Sequence, residues 1–221
     1  MESNYGRKRI MENTEQPQYF DGRIVVTYDK DQKKATFYDT YLDLNGDIVR
    51  YDDIAVFQSN ATDSTSNLAI YYSRSFSYNF TFTTYDGTKH ELSRLGYSSY
   101  GIGSYKRVKA DFEAVSKPMY EIVLMKVFAR LIDRIDSGAT VNICGLQFSK
   151  DKIVVTKKKE EMVIDRNNFG RAEINRAYNI SSEARIYLKG MKRPSVGISL
   201  EEPNARLIVP TANYLFRDGT E

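Results

Sequence analysis

Cysteine, histidine and tryptophan are almost missing from this 221-residue chain, which carries one Cys, one His and no Trp. A lone thiol, Cys144, excludes an intramolecular disulfide framework and a cysteine-based zinc site. The apolar run from Ile122 to Ile132 contains Lys126 and Arg130 and falls far short of the ~20 residues that cross a bilayer as a helix. The first twenty residues, MESNYGRKRIMENTEQPQYF, lack the apolar core of a secretory signal, so the expectation is a cytoplasmic protein, with membrane association left open. Charge of one sign is lacking too, since the formal net charge is only +3.

Catalytic signatures are equally sparse. His90, in the stretch Thr88 to Leu92, has no nucleophile and orienting carboxylate at a recognisable spacing, and reads as an edge residue. Cys144 beside Ile143 reads as a small core residue. The acidic stretch LDLNGD shares a fragment of a calcium loop but lacks its terminal Glu. Gly101-Ile102-Gly103 lacks the third glycine and the Lys-Ser/Thr of a phosphate loop. No catalytic residue, metal ligand or cofactor is assigned on these grounds.

What the chain does have is β-forming residues and one helix. There are 17 Tyr and 11 Phe, so aromatics reach 13%, a bias towards strands. Strands are expected from Ile24 to Tyr28, over ATFYDTYLDL, from Asp47 to Tyr51 and over Ile54 to Phe57. Asn45-Gly46 and Asp86-Gly87 mark tight hairpins because these residues tolerate positive φ. The run SNATDSTSN, Ser59 to Asn67, reads as a loop. Further strands are expected at Leu68–Ser73, Tyr78–Thr83 and Lys89–Leu92.

From Tyr105 to Gly138 the pattern is helical. Val108, Phe112 and Val115 recur on one face, with Lys106, Arg107, Lys109 and Asp111 on the others. Pro118 predicts a break or sharp kink near Ser116-Lys117, with Ser116 as N-cap. The second segment buries Met119, Ile122, Val123, Phe128, Leu131, Ile132 and Ile135, and Gly138 ends it.

After Gly138 strands return: Thr140 to Ser149 as one strand bent at Gly145, then Ile153–Val155, Met162–Ile164, Arg171–Ile174, Arg185–Leu188 and Ser195–Leu200. A short helix, ARLIVPTANYLF, is expected to break at Pro210. The fold class is therefore α+β, mainly β. Two antiparallel β-units are expected, the first closed by a long kinked helix and the second by a short C-terminal helix. The expected division is a flexible arm over 1–20, one unit over 21–138 and a second over 139–221.

Charge is uneven along the chain. Between Lys150 and Arg193 there are 12 Lys+Arg against 6 Asp+Glu, whereas residues 1–137 carry 18 against 19. Lys150, Lys152, Lys157, Lys158 and Lys159 are the candidate ligand-binding residues, for an anionic lipid or phosphate surface at one end of the second unit. Few aromatics interleave with them, which argues against nucleic acid.

Short antiparallel strands closed by a helix, twice over, resemble the pleckstrin-homology-like (PH-like) superfold in tandem. The segments LDLNGDIVRYDDIAVF, TTYDGTKHEL, GLQFSKDKIVV and EEPNARLIVPTANYLF make the chain similar to bacterial proteins of uncharacterised function that carry PH-like halves. The resemblance spans roughly residues 21–217. It implies a β-barrel architecture and a non-enzymatic binding or scaffolding role, for a protein partner or an anionic surface. Two other readings stay open: a small enzyme with a carboxylate and tyrosine site between the units, and a structural homo-oligomer subunit. The oligomeric state is not read from the sequence.

Overall fold

The computed structural model describes residues 22–30, 33–68, 71–157, 160–175 and 182–216. The expected arm over 1–20 lies outside them. The first unit opens with four antiparallel strands in meander order: β1 (Ile24–Lys30), β2 (Lys33–Tyr38), β3 (Tyr41–Leu44) and β4 (Asp47–Arg50). Asn45 and Gly46, at φ 56° and 99°, close the β3–β4 hairpin as their tolerance of positive φ predicts. A single 3-10 turn, Tyr51–Asp53, swings the chain into a second meander. That meander is β5 (Ile54–Leu68), β6 (Tyr71–Thr84), β7 (Lys89–Ser99) and the two-residue β8 (Ile102–Gly103).

After the long helix come two further meanders, of four and three strands. Strands β9 (Val141–Ile143), β10 (Leu146–Ser149), β11 (Lys152–Lys157) and β12 (Glu160–Asp165) form one meander. Strands β13 (Phe169–Asn175), β14 (Glu183–Leu188) and β15 (Val196–Ser199) form the next. A 3-10 turn then leads into the closing helix α3 (Ile208–Phe216). The class is α+β, mainly β. Among the described residues the sheets are open ladders, not the closed barrel expected from the resemblance, because the hydrogen bonding stops at each passage from one meander to the next.

The long helix departs most from expectation. It does not break at Ser116. Helix α1 (Tyr105–Pro118) runs straight into a π-turn over Met119–Leu124 and on into α2 (Met125–Asp136). Its buried stripe explains why. Val115, Met119, Val123, Val127, Leu131 and Ile135 are all buried and spaced by four. Four α-helical residues turn through about 400°, so such a stripe would drift by ~40° per step. A π-turn bonds across five residues and drifts the other way. One π-turn in the middle takes back about half of the ~200° that five such steps would accumulate, and burial of the stripe outweighs the roughly 3 kcal/mol that an interior proline costs. The end of α2 follows expectation: Gly138 at φ 94° donates to Ile135 O, and Ala139 donates to Arg134 O, the paired bonds of a glycine-terminated helix.

Three smaller expectations are corrected. Cys144 and Gly145 are not a bend within a strand but the two turn residues of the β9–β10 hairpin, at φ 52° and 80°. Pro210 does not break α3, since it falls in the first turn, where the N–H that proline lacks would have no acceptor within the helix. Asp111 is not on a solvent face: it is buried and ion-paired with Arg94, which also donates to Tyr28 Oη. A single continuous core runs through both units, with α2 between them.

Candidate functional site

The run Ser59 to Asn67 is not a loop. It is most of β5, fifteen residues long and the outer strand of its sheet. Small polar residues make it look like a loop in sequence, yet β6 pairs with it in unbroken register from Val56 opposite Thr83 to Leu68 opposite Tyr71. Every residue from Ala61 to Asn67 is exposed.

The second unit grips the start of this strand. Asn204, in the left-handed region at φ 61°, uses its backbone and its amide side chain together. Its N–H donates to Phe57 O at 2.9 Å, its Nδ2 to Ala55 O at 3.1 Å, and its Oδ1 accepts from Phe57 N–H at 2.8 Å. Asn204 thus completes the ladder that a neighbouring strand would make. These bonds also set the phase of the edge. Phe57 turns its N–H and C=O away from β6, and backbone direction alternates with every residue in a ladder. Ser59, Ala61, Asp63 and Thr65 therefore aim their N–H and C=O outward as well. Among the described residues, no backbone group pairs with them.

Beside this edge lies a cleft of about 530 Å³ between the units, lined by Ser59 and Ala61 of β5, Phe112 and Tyr120 of the long helix, and Glu201 and Arg206 of the second unit. Arg206 Nε donates to Ser59 Oγ at 2.5 Å, and its guanidinium lies 4.8 Å from the centre of the Tyr120 ring. Tyr120 Oη and Ser59 Oγ are 3.2 Å apart. Gln58 Nε2 donates to Glu201 O at 2.5 Å. The cleft thus brings a cation, hydroxyls and an aromatic face to the buried Ser59, where the exposed part of the edge begins.

The far half of β5 is held to α1. Asp63 accepts from Tyr105 Oη at 2.8 and 2.9 Å and from Lys109 Nζ at 2.8 Å. Arg74 stands 3.7 Å from the same carboxylate and packs over the Tyr105 ring. Partial burial pushes the Asp63 carboxyl up, but the bonds from Lys109 and Tyr105 and the two cationic charges outweigh it, so its pKa lies below the usual value.

Of the lysines singled out by sequence, Lys150 and Lys152 lie at one end of β11 and Lys157 at the other. Lys150 and Lys152, both exposed, flank the β10–β11 turn, and Lys157 ends β11. Five residues of strand separate Lys152 from Lys157, about 16 Å. Lys158 and Lys159 lie outside the described residues. In register, Lys152 stands opposite Asp165 and Lys157 opposite Glu160 in the strand pair.

His90 pairs in register with Phe82 of β6, two strands from the β5 edge. The Cys144 thiol donates to Pro203 O at 3.1 Å. Burial, with a smaller push from Glu202, raises its pKa to about 11, which keeps it a protonated thiol at neutral pH. Sequence reasoning did not single out this candidate site, Ser59–Thr65 with Asn204 and Arg206. Asn204 carried the only trace of it, as an Asn before a helix that could take positive φ. No protein-family model matches this chain, and a search of curated proteins finds no match.

Proposed function

We propose that the chain is a non-enzymatic binding module of two PH-like units whose ligand is a protein segment added as a strand along β5. The observation that carries this is the row of outward N–H and C=O groups on the exposed residues Ala61, Asp63 and Thr65, with which no backbone group among the described residues pairs. An open edge of this kind is a template for another strand. The edge already accepts a partner at its first residues, where Asn204 stands in for a strand. The PH-like part of the reading draws support from the order within each unit: two successive meanders, then a helix. The anionic-surface reading draws less, because the charged residues facing Lys152 and Lys157 are acidic.

A proline at an outward-facing edge position removes one pairing donor and leaves the β5–β6 ladder intact. Ala61→Pro is therefore expected to fold normally and to stop strand addition. The measurement is affinity capture from an extract of the protein's own cells, with wild type and Ala61→Pro compared at equal far-UV circular dichroism. Partners held by wild type and lost by the variant support the proposal. Partners held equally by both would refute strand addition at this edge. A second copy of the chain as the lost partner would identify self-assembly as the use of the edge.

A further inference from the structure

We infer that the segment added to β5 carries a large apolar side chain across from Ala61 and an acidic one across from Thr65, both on the face turned to α1. The inference rests on strand addition at β5 and adds the chemistry of the partner.

The apolar position follows from what lies beside Ala61. Ser59, Ala61, Asp63 and Thr65 pair in register with Phe80, Tyr78, Phe76 and Arg74. Residues directly opposite share a face, so all four look towards α1, and a residue added across from each would do the same. Phe112 of α1 packs on Phe76, Tyr78 and Phe80, with ring centroids 5.5, 5.5 and 6.0 Å apart, yet stays half-buried. On one side of Ala61, Ser59 meets Tyr120, and on the other Asp63 bonds Tyr105 and Lys109. Ala61 itself offers one methyl. The flank of Phe112 left over lines the cleft of about 530 Å³ together with Ala61, Tyr120 and Leu200. Polar groups at this level are already bonded: Arg206 donates to Ser59 Oγ, Ser59 meets Tyr120 Oη, and Ser116 donates to Glu113 O. An added side chain stands about 5 Å from Ala61 and meets aromatic carbon, so a polar group there would lose its hydration without gaining a partner. Glu201, exposed at the rim, makes a lysine the competing anchor.

The acidic position follows from charge. Lys109 and Arg74 both approach the single carboxylate of Asp63, at 2.8 and 3.7 Å, which leaves one positive charge in surplus. Arg74 is the underused cation, because its contact is long and its Nε has no hydrogen-bond partner among the described residues. To approach Asp63 from β6, its guanidinium leans over β5, about 5 Å, one strand spacing, from an added strand. A carboxylate across from Thr65, the register neighbour of Arg74, is placed to complement it. One across from Asp63 would face a like charge. In an antiparallel partner, slightly the more stable kind per residue, the acid precedes the apolar residue by four positions.

The test uses the full chain and pools of octapeptides, N-acetylated and C-terminally amidated, random in Thr, Ser, Val and Gln except at two positions. The parent pool has Glu third and Phe seventh. Three others replace Phe by Ala, Phe by Lys, or Glu by Gln. Peptides retained on the immobilised protein are counted by mass spectrometry. The parent pool is expected to be retained on the order of tenfold more than the Ala pool, the scale of one buried apolar side chain. It should exceed the Gln pool roughly threefold, a margin that high salt removes. Ala61→Phe covers Phe112 with the protein's own ring and should level the Phe and Ala pools, while Arg74→Gln should level the Glu and Gln pools. Ala61→Pro should lose all retention, with circular dichroism confirming that each variant is folded. Equal retention of the Phe and Ala pools, or of the Glu and Gln pools, with loss in Ala61→Pro, would overturn the inference and leave strand addition standing. A preference for the Lys pool that Glu201→Gln removes would overturn it too. If wild type retains no pool, or Ala61→Pro changes the retention of none, strand addition itself falls.

Discussion

Asp63 shows how one side chain can decide whether an edge strand is a usable platform. From Ala61 to Asn67 every residue of the edge is exposed, and the bonds from Tyr105 and Lys109 to Asp63 tie it to α1. The carboxyl's pKa is lowered by folding, so its contribution is fully present above the unfolded value of about 3.9 and is lost as pH falls through the lower folded value. With the carboxylate a third exposed, solvent screening keeps that contribution within roughly 0.2–1 kcal/mol. Asp63→Asn should therefore melt below wild type at pH 7, with the difference closing as the pH is taken to about 2. Thermal melts of both proteins across that range read it directly, and a gap that persists at the lowest pH would show that Asp63 acts through something other than its charge. Neither this contact nor the buried Asp111–Arg94 pair was legible in sequence. The apolar spacing of Val108, Phe112 and Val115 identifies one helix face, but not which charged neighbour finds an opposite charge across the sheet.

At the scale of elements, legibility followed the strength of the local rule. Asn45-Gly46 announced its hairpin, and Gly138 announced the end of α2, because positive φ restricts the choice of residue. Strands with one face in the core were readable from alternation. β5 from Ser59 onward was not, because an alternation signal needs an apolar side, and here the residues are small and polar and those from Ala61 to Asn67 are all exposed. Its strand state comes from pairing with β6, a tertiary fact. Pro118 predicted a break or a sharp kink near Ser116-Lys117; the four-spaced buried stripe carries the helix through unbroken, and the irregularity is a π-turn directly after the proline. That balance can be tested by replacing the proline. Pro118→Ala recovers about 3 kcal/mol of helix preference and gives up two buried methylenes worth ~0.8 kcal/mol each. The expected net gain is therefore about 1 kcal/mol, seen as a higher urea midpoint at unchanged slope. A lower midpoint would mean that the proline ring itself holds the π-turn in place.

For the whole molecule, the order of elements in the two halves was readable from sequence, and their mutual grip was not. Residues more than a hundred positions apart make that grip: Asn204 and Arg206 on β5 and Glu201 on Gln58. No local pattern encodes such pairs. The long helix adds to them. Arg130 of α2 donates to the carbonyls of Tyr51, Asp52 and Ile54, where the first unit passes between its meanders. Tyr214 of α3 donates to Asp136 at the other end of α2, at 2.6 Å. One helix is thus bonded to both units, and one buried cluster runs through them. Two halves so joined cannot lose either sheet without exposing apolar surface of the other, and each buried side chain so exposed costs about 1.5–3 kcal/mol. Unfolding is expected as a single transition, with calorimetric and van't Hoff enthalpies equal. Two resolved transitions in scanning calorimetry would instead mean that the units fold independently and that the Asn204 grip is weak. In that case the closed end of the β5 edge could open, and an added strand could run through it.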